Sequence, residues 1–388
     1  MNRARRKAPP VYAAPSLAGS RVAAVRVVHV HRIAGIGGSE RHLLALLPAL
    51  AAFGVEPLML GLDVPSAAPD PFYDRLGEDG VEFVRVPAPR DLDPGLARRV
   101  VRLVRGAKPD VVHTHLVHGD LYGAAGAAAS RARLVSTKHN DDPFRAGPFR
   151  YVDRALTLRT SAVVCITHAL ARFVVDCVGL PARKVVVVPY GLDASPEPWG
   201  PNTDLALPPD APLLLAIARL APQKGLDVAI RALADLRARG HRAVLVVLGE
   251  GRERSRLTAL AAELGIADAV FLPGREGDVG AWLRRADVLV HPARWEGFGL
   301  AILEAMLVGR PVVATRVSAI PELVVDGETG VLVAPDDASA FADAVASLLV
   351  DPARAAAMGE RGRARALAEF SVEEMARRTN EVYVRVAA

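Results

Sequence analysis

From residue 22 onward, short runs of apolar and β-branched residues alternate with longer stretches whose apolar positions recur every three or four residues. The first kind predicts buried strands and the second amphipathic helices. Strands are expected at 23–33, 56–62, 81–87, 109–115, 132–139, 162–168 and 184–191. A second set is expected at 213–220, 243–251, 269–274, 286–293, 310–317 and 330–335. The stretch 39–54 (SERHLLALLPALAAFG) predicts a helix with Ser39 as N-cap and Gly54 as its stop. Ser371 and Glu374 are spaced as a capping box ahead of a closing helix. Apolar strands alternating with helices predict parallel sheets covered on both faces.

A proline-rich stretch without periodicity separates the two strand sets, so the fold class expected is α/β with two doubly wound Rossmann-like domains facing each other across a cleft. The boundaries expected are a disordered leader at 1–20, an N-terminal Rossmann-like domain at 21–190 and a linker at 191–212. A C-terminal Rossmann-like domain follows at 213–370, and a helix at 371–388 returns toward the first domain.

Composition narrows the class little. The 388 residues are 51% hydrophobic and 23% charged, an ordinary globular balance that suits two cores. No run reaches the ~20 apolar residues of a membrane-spanning helix, and the basic leader lacks the apolar centre of a signal peptide. A cytoplasmic protein, placed if at all against the inner face of the membrane, is expected. Cys165 and Cys177 stand in apolar contexts and read as buried free thiols. Charge is uneven: residues 1–195 hold 26 Lys and Arg against 17 Asp and Glu, whereas 196–388 hold 22 against 26. A basic first half suits an anionic partner such as a lipid headgroup or a lipid-linked phosphate. The segment 141–159 adds Phe144, Phe149 and Tyr151 among arginines, a pattern for a lipid surface or the border of an acceptor cleft. No common nucleic-acid recognition motif is present.

Chemistry concentrates after strand ends. In HPARWEGFGLAILEAM a strand runs into Glu296, then Gly297, Phe298 and Gly299, then a helix bearing Glu304. Glycines before a helix N-terminus let an anion approach backbone N–H groups. Glu304, five residues into the helix, lies about 7 Å beyond its start at about 1.5 Å per residue. That is the reach from a diphosphate to a ribose. Arg219 and Lys224 stand five residues apart at another strand-to-helix turn, where a planar fork and a point charge suit a diphosphate. Gly35 to Glu40 form an early Gly-rich loop that lacks the third glycine of the dinucleotide fingerprint. His113, His115, His118 and His139 cluster at strand ends, with His113 and His115 on one face. No carboxylate falls at a customary ligand spacing, so no metal centre is expected, and one histidine is expected to face the cleft. Asp91 and Asp93 read as a helix N-cap region and not as a cation site.

These features together resemble glycosyltransferase family 4, retaining enzymes of the GT-B fold, over residues 24–385. The resemblance rests on Glu296 and Glu304 around Gly-Phe-Gly, on Arg219 with Lys224 and Gly225, and on the GEG at 249–251. FLPG, IPELV, GETGVLV and GGSE support it. It implies that Arg219 and Lys224 hold the donor diphosphate, that Glu304 binds the ribose, and that Glu296 with the turn Gly297, Phe298, Gly299 and Leu300 binds the donor sugar. It further implies that Gly274 and Arg275 meet the nucleobase, that Gly37 and Gly38 approach the phosphates, and that His115 faces the reacting sugar. No cofactor is implied beyond a UDP-sugar or GDP-sugar donor, and the acceptor is a glycan, lipid-linked or small-molecule hydroxyl. Tyr190 and Ser318-Ala319 depart from the family pattern, which has Asn and paired glycine there. A nucleotide-sugar epimerase of the same architecture and a non-enzymatic anionic-surface module are the alternatives.

Overall fold

The computed structural model describes residues 24–65, 69–141, 143–193, 205, 207–208, 210–276 and 278–388. The expected leader 1–20 lies outside the described residues, as does most of the expected linker 191–212.

The described strands form two sheets. The first holds β1 (Val25–Ile33), β2 (Val55–Asp63), β3 (Glu82–Pro87), β4 (Val111–His115), β5 (Arg133–Lys138), β6 (Thr160–Cys165) and β7 (Val185–Val187) in the order β3-β2-β1-β4-β5-β6-β7. The second holds β8 (Leu213–Ile217), β9 (Val244–Leu248), β10 (Val270–Gly274), β11 (Val288–His291), β12 (Val312–Thr315) and β13 (Val331–Val333) in the order β10-β9-β8-β11-β12-β13. The pairings between neighbouring strands are parallel. Central strands such as β9 (VLVVL) and β4 (VVHTH) are buried along their whole length, as helices on both faces require. Two Rossmann-like α/β sheets are therefore present, as the alternation predicts.

Strand order reverses between β1 and β4 in the first sheet and between β8 and β11 in the second. Such reversals open crevices beyond the carboxyl ends of the strands. The closing helix Val372–Ala387 packs on the first sheet: Met375, Val382 and Tyr383 share a core with Leu43, Leu47 and Val111. The chain thus crosses between the sheets twice, and Leu192 N–H donates to the Phe370 carbonyl at 3.0 Å where the crossings meet.

Three local expectations are corrected. The first helix starts at Gly38 with Gly37 as N-cap, because the Glu40 carboxylate turns back to accept from Gly37 N–H at 3.0 Å. Ser39 instead donates to Glu40. Ser371 does cap Glu374 N–H, but the Glu374 carboxylate goes to Arg377 and Arg378, so the box is half made. Cys165 is buried and Cys177 exposed, both unpaired. In the helical turn Phe173–Val178, Val174 and Val178 take the core face, which leaves Cys177 outward.

Candidate active site

The C-terminal wall is built around the β8/β11 reversal. After β8 the chain turns through Pro222–Lys224 to Gly225, whose φ is +61°. A Cβ there would lie 1.9 Å from the Pro292 carbonyl oxygen, so only glycine lets this turn press on the loop after β11. The press brings Lys224 Nζ within 2.5 Å of Glu296 Oε2, which also accepts from His291 Nε2 at 2.8 Å. Gln223 extends the cluster, its amide donating to the Trp295 carbonyl and its oxygen accepting from Arg219 at 3.2 Å. Arg219 itself is exposed. Burial opposes ionisation of Glu296, but the His291 hydrogen bond and the Lys224 charge outweigh it and hold the carboxyl far below the usual range. The wall therefore carries a fixed carboxylate held between the Lys224 ammonium and the His291 ring.

From Glu296 the chain passes Gly297 and Phe298 to Gly299, in the left-handed region at φ +103°, which starts the helix Leu300–Leu307. Glu304 on that helix is 2% exposed. One of its oxygens accepts from Arg41, on the helix Gly38–Leu50 of the opposite wall, and the other has no partner in the described protein. A buried carboxylate oxygen without a partner is costly unless a ligand hydroxyl completes it. The GEG turn knits the rest: Leu220 N–H donates to the Glu250 carbonyl, and Gly249 N–H to the Gly274 carbonyl at 2.6 Å. Gly274 is thereby tied beside the Arg219 turn, with Arg275 exposed next to it.

The N-terminal wall lies close. A Cβ on Gly297 would stand 3.0 Å from the His139 carbonyl oxygen, and one on Gly38 3.5 Å from Leu300. The Phe298 ring lies 5.0 Å from Tyr190. Behind this contact is a buried histidine cluster. His115, expected to face the sugar, is fully buried, with its ring nitrogens bonded to His29 (3.1 Å) and His139 (3.0 Å). Its placement departs from that expectation because β1 and β5 flank β4 and enclose the ring. His113 bonds Tyr383 and Thr137, each at 2.6 Å. His118 pairs instead with Arg32 and Asp91. Burial, with neighbouring imidazoles, lowers His29 and His42 to about 3, and holds His113, His115 and His139 well below the ordinary value. Asp93 caps the helix Pro94–Ala107 through Gly95 N–H at 2.7 Å, the structural role read from its sequence context.

Sequence reasoning missed His291, Arg41 and Tyr383 as parts of this region. His291 carried a signal, since it ends the strand before Glu296. Arg41 and Tyr383 carried none, because their partners are 263 and 270 residues away.

Two facing Rossmann-like sheets with paired carboxylates and a cationic corner on one wall are the makings of a GT-B glycosyltransferase. Comparison with known proteins agrees. Residues 36–195 match the family model "Glycosyltransferase Family 4" and residues 202–365 match "Glycosyl transferases group 1". The chain is 37% identical to the lipopolysaccharide core biosynthesis mannosyltransferase LpsB of Rhizobium meliloti, over 90% of this chain and 94% of that one. It is 28% identical to a glycogen synthase of Mycobacterium tuberculosis, over 90% and 91% of the two chains. Among solved structures, Anabaena HepE with UDP and glucose superposes with a TM-score of 0.79 at 20% identity, covering 93% of this chain and 100% of that one. The chain belongs to the family 4 glycosyltransferases of GT-B fold. It is a glycosyltransferase, and the epimerase and non-enzymatic alternatives give way to transfer.

Proposed function

We propose that the protein is a retaining hexosyltransferase that takes its sugar from a UDP- or GDP-linked donor and passes it to a hydroxyl of a glycan or lipid-linked acceptor. The observation that carries this reading is the unpartnered buried oxygen of Glu304, one helix away from the fixed Lys224–Glu296–His291 cluster. The ribose completes Glu304, and the diphosphate lies on Arg219 and Lys224 at the N-terminus of the helix Leu300–Leu307. Glu296 and the turn Gly297 to Leu300 meet the sugar, and Gly274 and Arg275 border the nucleobase, while Gly37 and Gly38 face the phosphates from the other wall. A relative 41% identical over 40% of this chain is a GDP-mannose-dependent phosphatidylinositol monomannoside mannosyltransferase of Mycolicibacterium smegmatis, which supports a nucleotide-sugar donor and keeps a lipid acceptor in view.

In the reaction the acceptor oxygen attacks the anomeric carbon on the face the phosphate leaves. The C1–O bond to phosphate breaks as the new C1–O bond forms, and the acceptor proton passes to the departing phosphate oxygen. Arg219 and Lys224 stabilise the charge that grows on that phosphate. The acceptor wall carries Phe144, Tyr151, Val152 and Leu158 exposed beside Arg150 and Arg154, and this face sits on an anionic membrane surface. No helix among the described residues is long and apolar enough to cross a membrane.

Nucleotide-sugars screened by thermal shift identify the donor, since a ligand at 100 times its Kd stabilises by about 2.7 kcal/mol. Proton NMR of the product then reads the anomeric configuration. Retention is expected; inversion, or an epimer formed with no acceptor, would overturn the reading. Co-sedimentation with vesicles containing phosphatidylglycerol, against neutral vesicles, tests the membrane contact.

A further inference from the structure

Six of the ten histidines, His29, His31, His42, His113, His115 and His139, are buried together behind the N-terminal wall. Strand register brings them there: His29 on β1 pairs His113 on β4, and Thr137 on β5 pairs His115. Four of these rings are strung on one path. Thr137 Oγ1 meets His113 Nε2 at 2.6 Å, and His113 Nδ1 meets the Tyr383 hydroxyl at 2.6 Å. That hydroxyl meets His29 Nε2 at 3.2 Å, and His29 Nδ1 meets His115 Nε2 at 3.1 Å. His115 Nδ1 then meets His139 Nε2 at 3.0 Å, and His139 Nδ1 meets the Tyr190 hydroxyl.

We propose that His113, Tyr383, His29, His115 and His139 form a single head-to-tail hydrogen-bond chain that sets whether the Tyr190 hydroxyl, whose ring packs beside the donor loop, donates to His139 or keeps its proton free. Tyr383 is thereby a positioning residue acting from the C-terminal helix.

Each ring is entered at Nε2 and left at Nδ1. A neutral imidazole has one donor and one acceptor nitrogen. If His29 donates from Nδ1, His115 must accept at Nε2 and so must itself donate from Nδ1 to His139. The opposite choice forces Nε2–H on every ring. Tyr383 carries the choice across to His113, because accepting from both neighbours would strand its own buried proton. The chain therefore has two self-consistent states. With Nδ1–H throughout, Tyr190 accepts from His139 and its own proton is free to donate; with Nε2–H throughout, Tyr190 spends its proton on His139. Tyr190 stacks on His42 at 4.5 Å, and its ring lies 5.0 Å from Phe298 of the donor loop. Burial supports the neutrality the chain requires. Nitrogens of His29, His113 and His115 also lie within 4.8 Å of one another, as a cation would need. A cation would have to break the chain, so the two arrangements exclude each other.

The consequence for the donor loop rests on the function proposed above, but the chain itself is tested without activity. In protein labelled with 15N-histidine, protonated and bare ring nitrogens resonate far apart, so each tautomer is read directly. The expected result is one shared tautomer for His29, His113, His115 and His139 in the full chain. Two different tautomers among them overturn the proposal. In Tyr383→Phe, His113 should lose the shared state while His29, His115 and His139 keep theirs; no change at His113 overturns the role of Tyr383. One equivalent of Zn2+ should leave the four signals in place, and zinc-induced shifts at His29, His113 and His115 overturn the chain. Failure of UDP and GDP to bind would defeat the donor reading alone and leave the tautomers standing.

Discussion

The two walls of the cleft handle buried polarity in opposite ways. On the C-terminal wall Glu296 is kept ionised between Lys224 and His291, and Glu304 keeps one oxygen open. On the N-terminal wall five imidazoles are kept uncharged by burial and by one another. A phosphate-binding wall gains from fixed charge, because the ligand supplies the compensation. Imidazoles enclosed by one another and offered no counter-charge are better kept neutral, since an unpaired buried charge is costly. Arg41 reaches from the N-terminal half to the Glu304 carboxylate, and the His168 and Ala169 N–H groups reach the Glu322 carboxylate.

The largest effect expected falls on the neutral wall. His29 and His42 titrate near 3 in the folded protein, below the ordinary 6.5 of the unfolded chain. The unfolded state then binds more protons between those values, so stability is complete above pH 6.5 and falls as pH drops below it. Each such ring costs about 1.4 kcal/mol per pH unit, so two cost on the order of 4 kcal/mol by pH 5. Melting temperatures recorded from pH 8 to 5 should be level to about 6.5 and then fall; a level profile to pH 5 breaks the comparison. Glu296 adds a loss of the same sign only below the carboxylate range.

On the charged wall, Lys224→Ala removes charge stabilisation of about 3–4 kcal/mol, a loss of order 10² to 10³ in kcat. Circular dichroism should show the fold intact, and near-normal turnover would remove Lys224 from the chemistry. Glu304→Gln leaves the shape but weakens a charge-assisted contact of about 1.5–3 kcal/mol, so calorimetry should show nucleotide affinity about ten- to a hundredfold lower. Gly297→Ala sharpens the contact between walls. Its Cβ would stand 3.0 Å from the His139 carbonyl, so the loop must give, and donor KM should rise severalfold with little change in melting temperature. Smallest of all is Cys177→Ser on an exposed position, expected within about 0.5 kcal/mol of the parent by denaturant titration.

The same contrast explains what could be read from the chain. The strands are legible because buried parallel strands are short apolar, Val-rich runs such as VLVVL. The charged wall was legible because its parts are local: Glu296 and Glu304 flank one turn, and Arg219 and Lys224 another. Two short words carry it. The neutral wall is assembled from β1, β4, β5, the first helix and the last, so no window of sequence contains it. His115 looked like a cleft residue because position along a strand does not reveal what flanks it. Tyr190, a departure from the family pattern, becomes intelligible only beside His42, His139 and Phe298. Small errors at caps came from competition, as Glu40 preferred Gly37 N–H and Glu374 preferred two arginines.

The most direct measurement is a crystal structure with the nucleoside diphosphate that thermal shift selects. It should show the diphosphate within hydrogen-bond reach of Arg219 and Lys224 and a ribose hydroxyl on the open oxygen of Glu304. A nucleotide ordered elsewhere, with that oxygen still unpartnered, would contradict it.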